Sequence, residues 1–260
     1  MGVRINTNLE ALNAQRNLGM TAVSFGKSVE KLSSGLRINR AADDAAGLGI
    51  SETFRSQVKG LNQAMRNAQD GISLIQTGEG ALNEVHSMLQ RIRELAVQYA
   101  NGTNDTNAQA SIQAEADALQ TTIASIASST KFNGIGLLDG SQATVTLQVG
   151  ANANETQDVS LSALDTSAAD VTDLSTIDTV IAAVSTQRAT FGAAQNALEH
   201  TVNSIGVAAE NFTASESRIR DLDVAAEMVN FTKTQILQQA GTAILAQANQ
   251  APQSVLSLLK

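Results

Sequence analysis

The chain has 260 residues, a net charge of −8 and no cysteine, which together exclude disulfides, thiolate-held zinc or iron–sulfur clusters and cysteine nucleophiles. Hydrophobic residues make up 43%, yet aromatics are scarce: six Phe, one Tyr and no Trp. Small aliphatic side chains must therefore fill the interior, which suits close helix–helix seams. The single proline, Pro252, leaves everything before it free of the strongest helix breaker. No apolar run approaches the ~18 residues of a membrane span. Met1–Met20 alternates polar and apolar residues rather than showing the apolar stretch of a cleavable signal peptide. Residues 1–40 carry six basic and two acidic side chains, whereas residues 101–200 carry two basic and eleven acidic ones. The basic arm holds one aromatic, Phe25, and no dense Lys/Arg cluster, so neither a nucleic-acid partner nor membrane insertion is expected.

The first predicted helix repeats apolar residues at steps of four and three: Leu18, Ala22, Phe25, Val29 and Leu32. Ser33-Ser34-Gly35 supplies its end, with Gly available for a left-handed cap. Residues 35–47 form a charged connector containing Arg37, Arg40, Asp43 and Asp44. A long helix should start at Asp43 or Asp44, where a carboxylate caps free N–H groups. Its stripe runs from Phe54, Val58, Leu61, Met65 and Ala68 through Leu82, Val85, Leu89 and Ile92 to Tyr99. The phase slips by one residue between Leu82 and Val85, just after Gly71, Gly78 and Gly80. Each glycine costs about 1 kcal/mol in a helix, so a bend or a tight backbone contact is expected there.

Asn101 to Asp105 reads as a turn, followed by a helix with Ile112, Ala116, Leu119, Ile123 and Ile126 inward. A Gly-rich stretch opens at Phe132-Asn133-Gly134. Ala143 to Val149 alternates strictly and predicts a half-buried strand, with Val159 to Leu161 pairing back. Residues 162–175 are polar and acidic, as in a surface excursion. From Leu174 helical spacing returns through Ile177, Val180, Val184, Phe191, Leu198 and Ile205. It continues into heptads at 219/226/233/240 and 222/229/236/243, the mark of coiled-coil packing. A second apolar face, Val224, Met228, Phe231, Leu237, Ile244 and Leu245, lies beside that stripe. One stripe can be buried within the chain; two require partners on both sides. Val255 to Leu259 are apolar and would also be exposed in a single chain.

Catalytic, metal and cofactor sites are not expected. His86 and His200 are far apart, and no HExxH is present. Gly134-Ile135-Gly136 lacks the third glycine of a dinucleotide loop. Asp43-Asp44 reads as helix capping, because adjacent helical residues do not face each other. Asn-x-Ser/Thr triplets at Asn101, Asn104, Asn154, Asn211 and Asn230 suit Asn/Thr-rich turns arising by chance.

Several segments resemble bacterial flagellin. They are Ile5-Asn6-Thr7-Asn8 with Ala11-Leu12, the run Leu32 to Leu48 (LSSGLRINRAADDAAGL), Asn67 to Thr77 (NAQDGISLIQT), Ser217-Arg218-Ile219-Arg220-Asp221, Gln239 to Ala243 (QAGTA) and Ala246 to Gln250 (AQANQ). The resemblance covers essentially the whole chain. It implies a mainly α fold, a long antiparallel helical bundle and coiled coil with a small β-hairpin region at about 132–161. In family terms it implies an N-terminal D0 helix over 1–34, a connector over 35–47, a D1 bundle with the hairpin over 48–215 and a C-terminal D0 helix over 216–260. No outer domain is inserted, since only residues 162–175 stand where longer members carry one.

The resemblance further implies a secreted structural subunit, exported unfolded by the flagellar type III route. Its ends fold on assembly, and it polymerises with itself into an extracellular flagellum that gives swimming motility. Implied partners are the flagellar cap, hook-junction proteins and an export chaperone. The implied D0 packing residues are Leu18, Phe25, Val29, Leu32, Ile219, Leu222, Val229, Ile236 and Ala243. The positions matching the surface seen by the vertebrate receptor TLR5 are Gln90, Arg91, Leu95 and Glu115, with Leu119 departing from the arginine often found in detected members. A hook–filament junction protein would share the terminal helices only loosely, and a protease-bearing member would need a central HExxH domain.

Overall fold

A computed structural model describes residues 7–165 and 170–258, the last eight of these as helical backbone only. Five helices dominate: α1 (Leu9–Ser34), α2 (Ala45–Tyr99), α3 (Thr106–Ser129), α4 (Leu174–Arg220) and α5 (Val224–Leu258). Two antiparallel hairpins lie between α3 and α4, made of β1 (Lys131–Phe132) with β2 (Ile135–Gly136), and β3 (Thr144–Gln148) with β4 (Thr156–Ser160). The mainly α expectation holds. The chain divides into two units, one built from both ends (Met1–Arg55 and Phe212–Lys260), the other spanning Ser56–Asn211.

The helix ends follow local chemistry. Asn8 caps α1, its side chain accepting from Ala11 N at 3.1 Å. Gly35 closes it in the left-handed region, φ 70°, donating to Lys31 O at 2.9 Å. Asp44 Oδ1 accepts from Gly47 N at 2.8 Å, so α2 starts where an acidic cap was expected. Asp43 instead organises the connector: its Oδ2 accepts from Arg40 N at 3.0 Å and Asn39 N at 3.2 Å. Arg40's amide is the main cause of its carboxyl lying below the ordinary aspartate range. Because that pKa is depressed, the contribution is present above the ordinary aspartate value and lost as pH falls through the lowered one.

In the end-built unit, the connector and the α4–α5 link are stitched together. Arg37 N donates to Arg220 O at 2.7 Å and Leu222 N to Gly35 O at 3.0 Å, around a Leu36–Asp221 bridge. This corrects one sequence expectation. The C-terminal heptads do not run through one helix, because α4 stops at Arg220 and α5 restarts under an Asp223 cap on Ala226 N. Ile219 and Leu222 therefore flank a break. Phe54 and Phe212 meet at 5.6 Å between ring centroids, and Arg220 reaches Glu52 at 2.7 Å, setting α2 antiparallel to α4.

In the central unit, α2, α3 and α4 enclose one core containing Leu82, Val85, Leu89, Ile92, Ile112, Ile123, Val184, Phe191 and Leu198. The β3–β4 hairpin has the register Val145 with Val159 and Leu147 with Gln157. It starts its return strand at Thr156, three residues earlier than expected, because the turn is tightened by Glu155 accepting from Asn152 N at 2.9 Å. Asn67 Nδ2 donates to Gln148 O at 2.9 Å and Gln187 Nε2 to Ser160 O at 3.1 Å, fixing the hairpin to α2 and α4. The β1–β2 hairpin is a second, shorter hairpin where sequence pattern shows only a Gly-rich stretch. Asn133 (φ 49°) and Gly134 (φ 84°) make its two-residue turn. Of the expected acidic excursion, residues 166–169 lie outside the described ones, and Val171 beyond them is buried.

Of the glycines near the phase slip in α2, Gly71 and Gly78 mark close approaches of other side chains to the backbone. A Cβ on Gly71 would collide with Leu147, and one on Gly78 would sit 2.7 Å from Phe191 Cε2, whereas one on Gly80 would meet nothing. Gly80→Ala should thus stabilise the protein by about 1 kcal/mol through helix propensity. Gly78→Ala should instead destabilise it by about 1–2 kcal/mol through overpacking against a rigid ring. Denaturant unfolding of both variants checks the opposite signs; equal shifts would contradict the packing at Gly78.

Candidate assembly surface

α1 and α5 lie antiparallel, as their pairings show. Leu36 bridges Asp221, Ser28 Oγ donates to Glu227 Oε1 at 2.5 Å, Phe25 stacks on Phe231 at 5.1 Å, Gly241 faces Leu18, and Asn8 Nδ2 donates to Ala248 O at 2.6 Å. The inward positions on α1 are Ala11, Ala14, Leu18, Thr21, Phe25, Ser28 and Leu32, in steps of three and four. Those on α5 are Glu227, Phe231, Thr234, Gln238, Gly241, Leu245 and Ala248, again in steps of four and three. Both are heptad seams. A Cβ on Gly241 would lie 3.1 Å from Leu18 Cδ1, so glycine lets the helices come close at that level.

This seam differs from the expected one. Leu18, Phe25 and Leu32 are in it. Val29 is 42% exposed at its edge, the neighbouring Ser28 being buried instead. On α5 the expected stripe faces the other way: Val229 is 67% and Ile236 63% exposed, and Ala243 is exposed with them. Positions 229, 236 and 243 lie about half a turn from 227, 234 and 241, at ~100° per residue. They therefore point away from α1. Of the second apolar face, Phe231 and Leu245 enter the seam, while Val224, Met228, Leu237 and Ile244 stay exposed. The signal that was missed is the polar half of the heptad, Thr21 and Ser28 against Glu227 and Thr234. Apolar periodicity cannot register it.

Leu9, Leu12, Met20 and Val23 of α1 are also apolar residues in solvent. Lys27, Lys31 and Lys233 border an open groove between the helices, beside Met20 and Leu237. The expectation for Val255 to Leu259 falls outside the described side chains.

In the central unit, Gln90, Arg91 and Glu115 share one exposed patch. Arg91 Nε and Nη2 donate to Glu115 Oε1 at 3.0 and 2.9 Å, and Nη1 to Glu94 Oε2 at 3.0 Å; Gln90 Nε2 lies 3.0 Å from His86 Nε2. Such exposed ion pairs orient side chains but contribute little stability. Leu95 does not belong to the patch. It is 1% exposed and part of the α2–α3–α4 core, because its position on α2 falls on the inward stripe with Leu89, Ile92 and Ala96. Leu119 is half-buried against the same core.

Among the described residues no group of His, Cys, Asp and Glu could hold a metal ion, and no helix is long and apolar enough to cross a membrane. The molecule is defined by its helix faces, as a structural subunit made for helix-to-helix contact. The model of the bacterial flagellin N-terminal helical region matches residues 5–143, and that of the C-terminal helical region matches residues 174–259. The chain is 54% identical to a flagellin of Halalkalibacterium halodurans over 98% of its length and 99% of that protein's. It is 48% identical to a flagellin of Bacillus subtilis, covering 99% and 100%, and 49% identical to the flagellar filament 33 kDa core protein of Treponema phagedenis, covering 98% and 99%. A crystal structure of Bacillus cereus flagellin superposes with a TM-score of 0.50 at 33% identity, over 54% of this chain and 88% of that one. The chain belongs to the bacterial flagellins and is a structural subunit of the flagellar filament, not an enzyme.

Proposed function

We propose that the outward faces of the α1–α5 pair are the contacts through which copies of this chain join end-built unit to end-built unit. One observation carries this reading: the apolar heptad set Val229, Ile236 and Ala243 lies in solvent, opposite a seam already filled by α1. Contacts of that kind are heterologous, so they propagate into a helix rather than closing a ring. In family terms the end-built unit corresponds to D0 and the central unit to D1, with boundaries near 1–34, 35–47, 48–215 and 216–260. Ile219 and Leu222, beside the α4–α5 break, support D0 from its margin. Export through the flagellar type III route to an extracellular filament, with a chaperone, a cap and hook-junction proteins as partners, accords with this reading.

Val229→Asp and Ile236→Asp should each abolish elongation, since burying an unpaired carboxylate costs several kcal/mol. Circular dichroism of the free chain should stay unchanged, because neither side chain touches α1. Electron microscopy of concentrated protein reads the outcome, and long filaments from either variant would refute the assignment.

We also propose that Gln90, Arg91 and Glu115 form the face presented to TLR5, with Leu95 supporting it from below. In a receptor-activation assay with purified monomer, Arg91→Ala should lower potency without moving the unfolding midpoint. Leu95→Ala should lower the midpoint, by about 2–5 kcal/mol of stability. An Arg91→Ala chain of full potency would exclude this face.

A further inference from the structure

We infer that Asn101, in the turn between α2 and α3, is a site of spontaneous deamidation, and that the fold selects it over the chain's other Asn-Gly pair, Asn133-Gly134. In this chemistry the Gly backbone nitrogen loses its proton to water and attacks the Asn Cγ. The new C–N bond closes a five-membered succinimide ring, and the Cγ–Nδ2 bond breaks to release ammonia. Water then opens the ring at either carbonyl, leaving aspartate or isoaspartate. The net change is amide plus water to carboxylic acid plus ammonia, with no oxidation or reduction. Glycine is the most permissive following residue, because it has no Cβ to block the approach.

The turn at Asn101 offers what the reaction needs. Asn101 and Gly102 are both exposed, and a Cβ built on Gly102 meets nothing within 4 Å, so the attacking nitrogen has room to swing. Asn101 N donates to Gln98 O and Asn101 O accepts from Asn104 N, both at 3.2 Å, but the Gly102 amide makes no hydrogen bond within the described structure. Asn101 Oδ1 accepts from Thr103 N at 3.3 Å. That N–H polarises the side-chain carbonyl in the direction that favours attack, and it sits beside the oxygen on which negative charge develops, as a single oxyanion donor does.

Asn133 and Gly134 are likewise exposed, and a Cβ on Gly134 would also meet nothing, so the difference lies in the turn. The φ of 49° at Asn133 and the φ of 84° at Gly134 form the turn of the β1–β2 hairpin, closed by pairing of Phe132 with Ile135 and Lys131 with Gly136. Leu137 N donates to Thr130 O at 3.1 Å just outside those pairs. A primed turn of this type keeps ψ of its first central residue small and positive. The succinimide ring needs a strongly negative ψ, so the hairpin must open before the ring can close.

The test is to incubate the intact chain in mildly alkaline buffer, folded and in denaturant, and to follow both sites by peptide mass mapping. Hydroxylamine, which cleaves at succinimide, traps the intermediate in parallel. In the folded chain Asn101 should convert faster than Asn133 by on the order of tenfold, one such factor per ~1.4 kcal/mol of barrier. In denaturant the two rates should converge. Equal rates in the folded chain, a faster Asn133, or a ratio that survives denaturation would each overturn the inference.

Discussion

A pair of helices can bury one face of each partner and no more. α5 carries apolar residues on opposite faces, so packing α1 on one leaves Val229, Ile236 and Ala243 bare on the other. Each large aliphatic side chain left in water forgoes about 1.5–3 kcal/mol of burial. The seam that is made is itself half polar, with Ser28 on Glu227 and Thr21 and Thr234 at core positions. Such a pair gains only part of the burial that two apolar heptads would give. On the proposed reading, neighbouring copies complete the end-built unit.

The central unit has the opposite character. Its three helices enclose a continuous apolar core, and its glycines are used where Leu147 and Phe191 press against the α2 backbone. Its ion pairs, Arg91 with Glu115 and Arg93 with Asp178, are exposed and orient surfaces more than they stabilise them. One unit thus rests on its own interior, while the other leaves apolar faces open.

Much of this was legible in the sequence, and the failures share a cause. Helical period, Gly35 and Asp44 as end signals, and the strand alternation at Val145 and Leu147 all correspond to elements of the structure, whereas the caps at Asn8 and Asp105 emerge only in the fold. Local chemistry sets those features. Periodicity also found the apolar residues of α5, but not the face that α1 covers, which takes only Phe231 and Leu245 from them, since that choice depends on shape across the seam. The covered face is the more polar one because Gly241 and the small Thr and Ser side chains let the backbones approach. Likeness of sequence points to Leu95 as surface, whereas its place on α2 puts it in the core. The β1–β2 hairpin was missed because two-residue strands leave no alternation to detect; only Asn133-Gly134 announced it.

The central claim is that the Val229–Ile236–Ala243 face is open in the free chain and covered in the filament. The chain has no cysteine, so a single Ile236→Cys substitution gives one reporter thiol. Thiol-specific labelling should modify it readily in the monomer and hardly at all after polymerisation. Equal labelling of monomer and filament would mean that the face remains in water and that assembly uses some other surface.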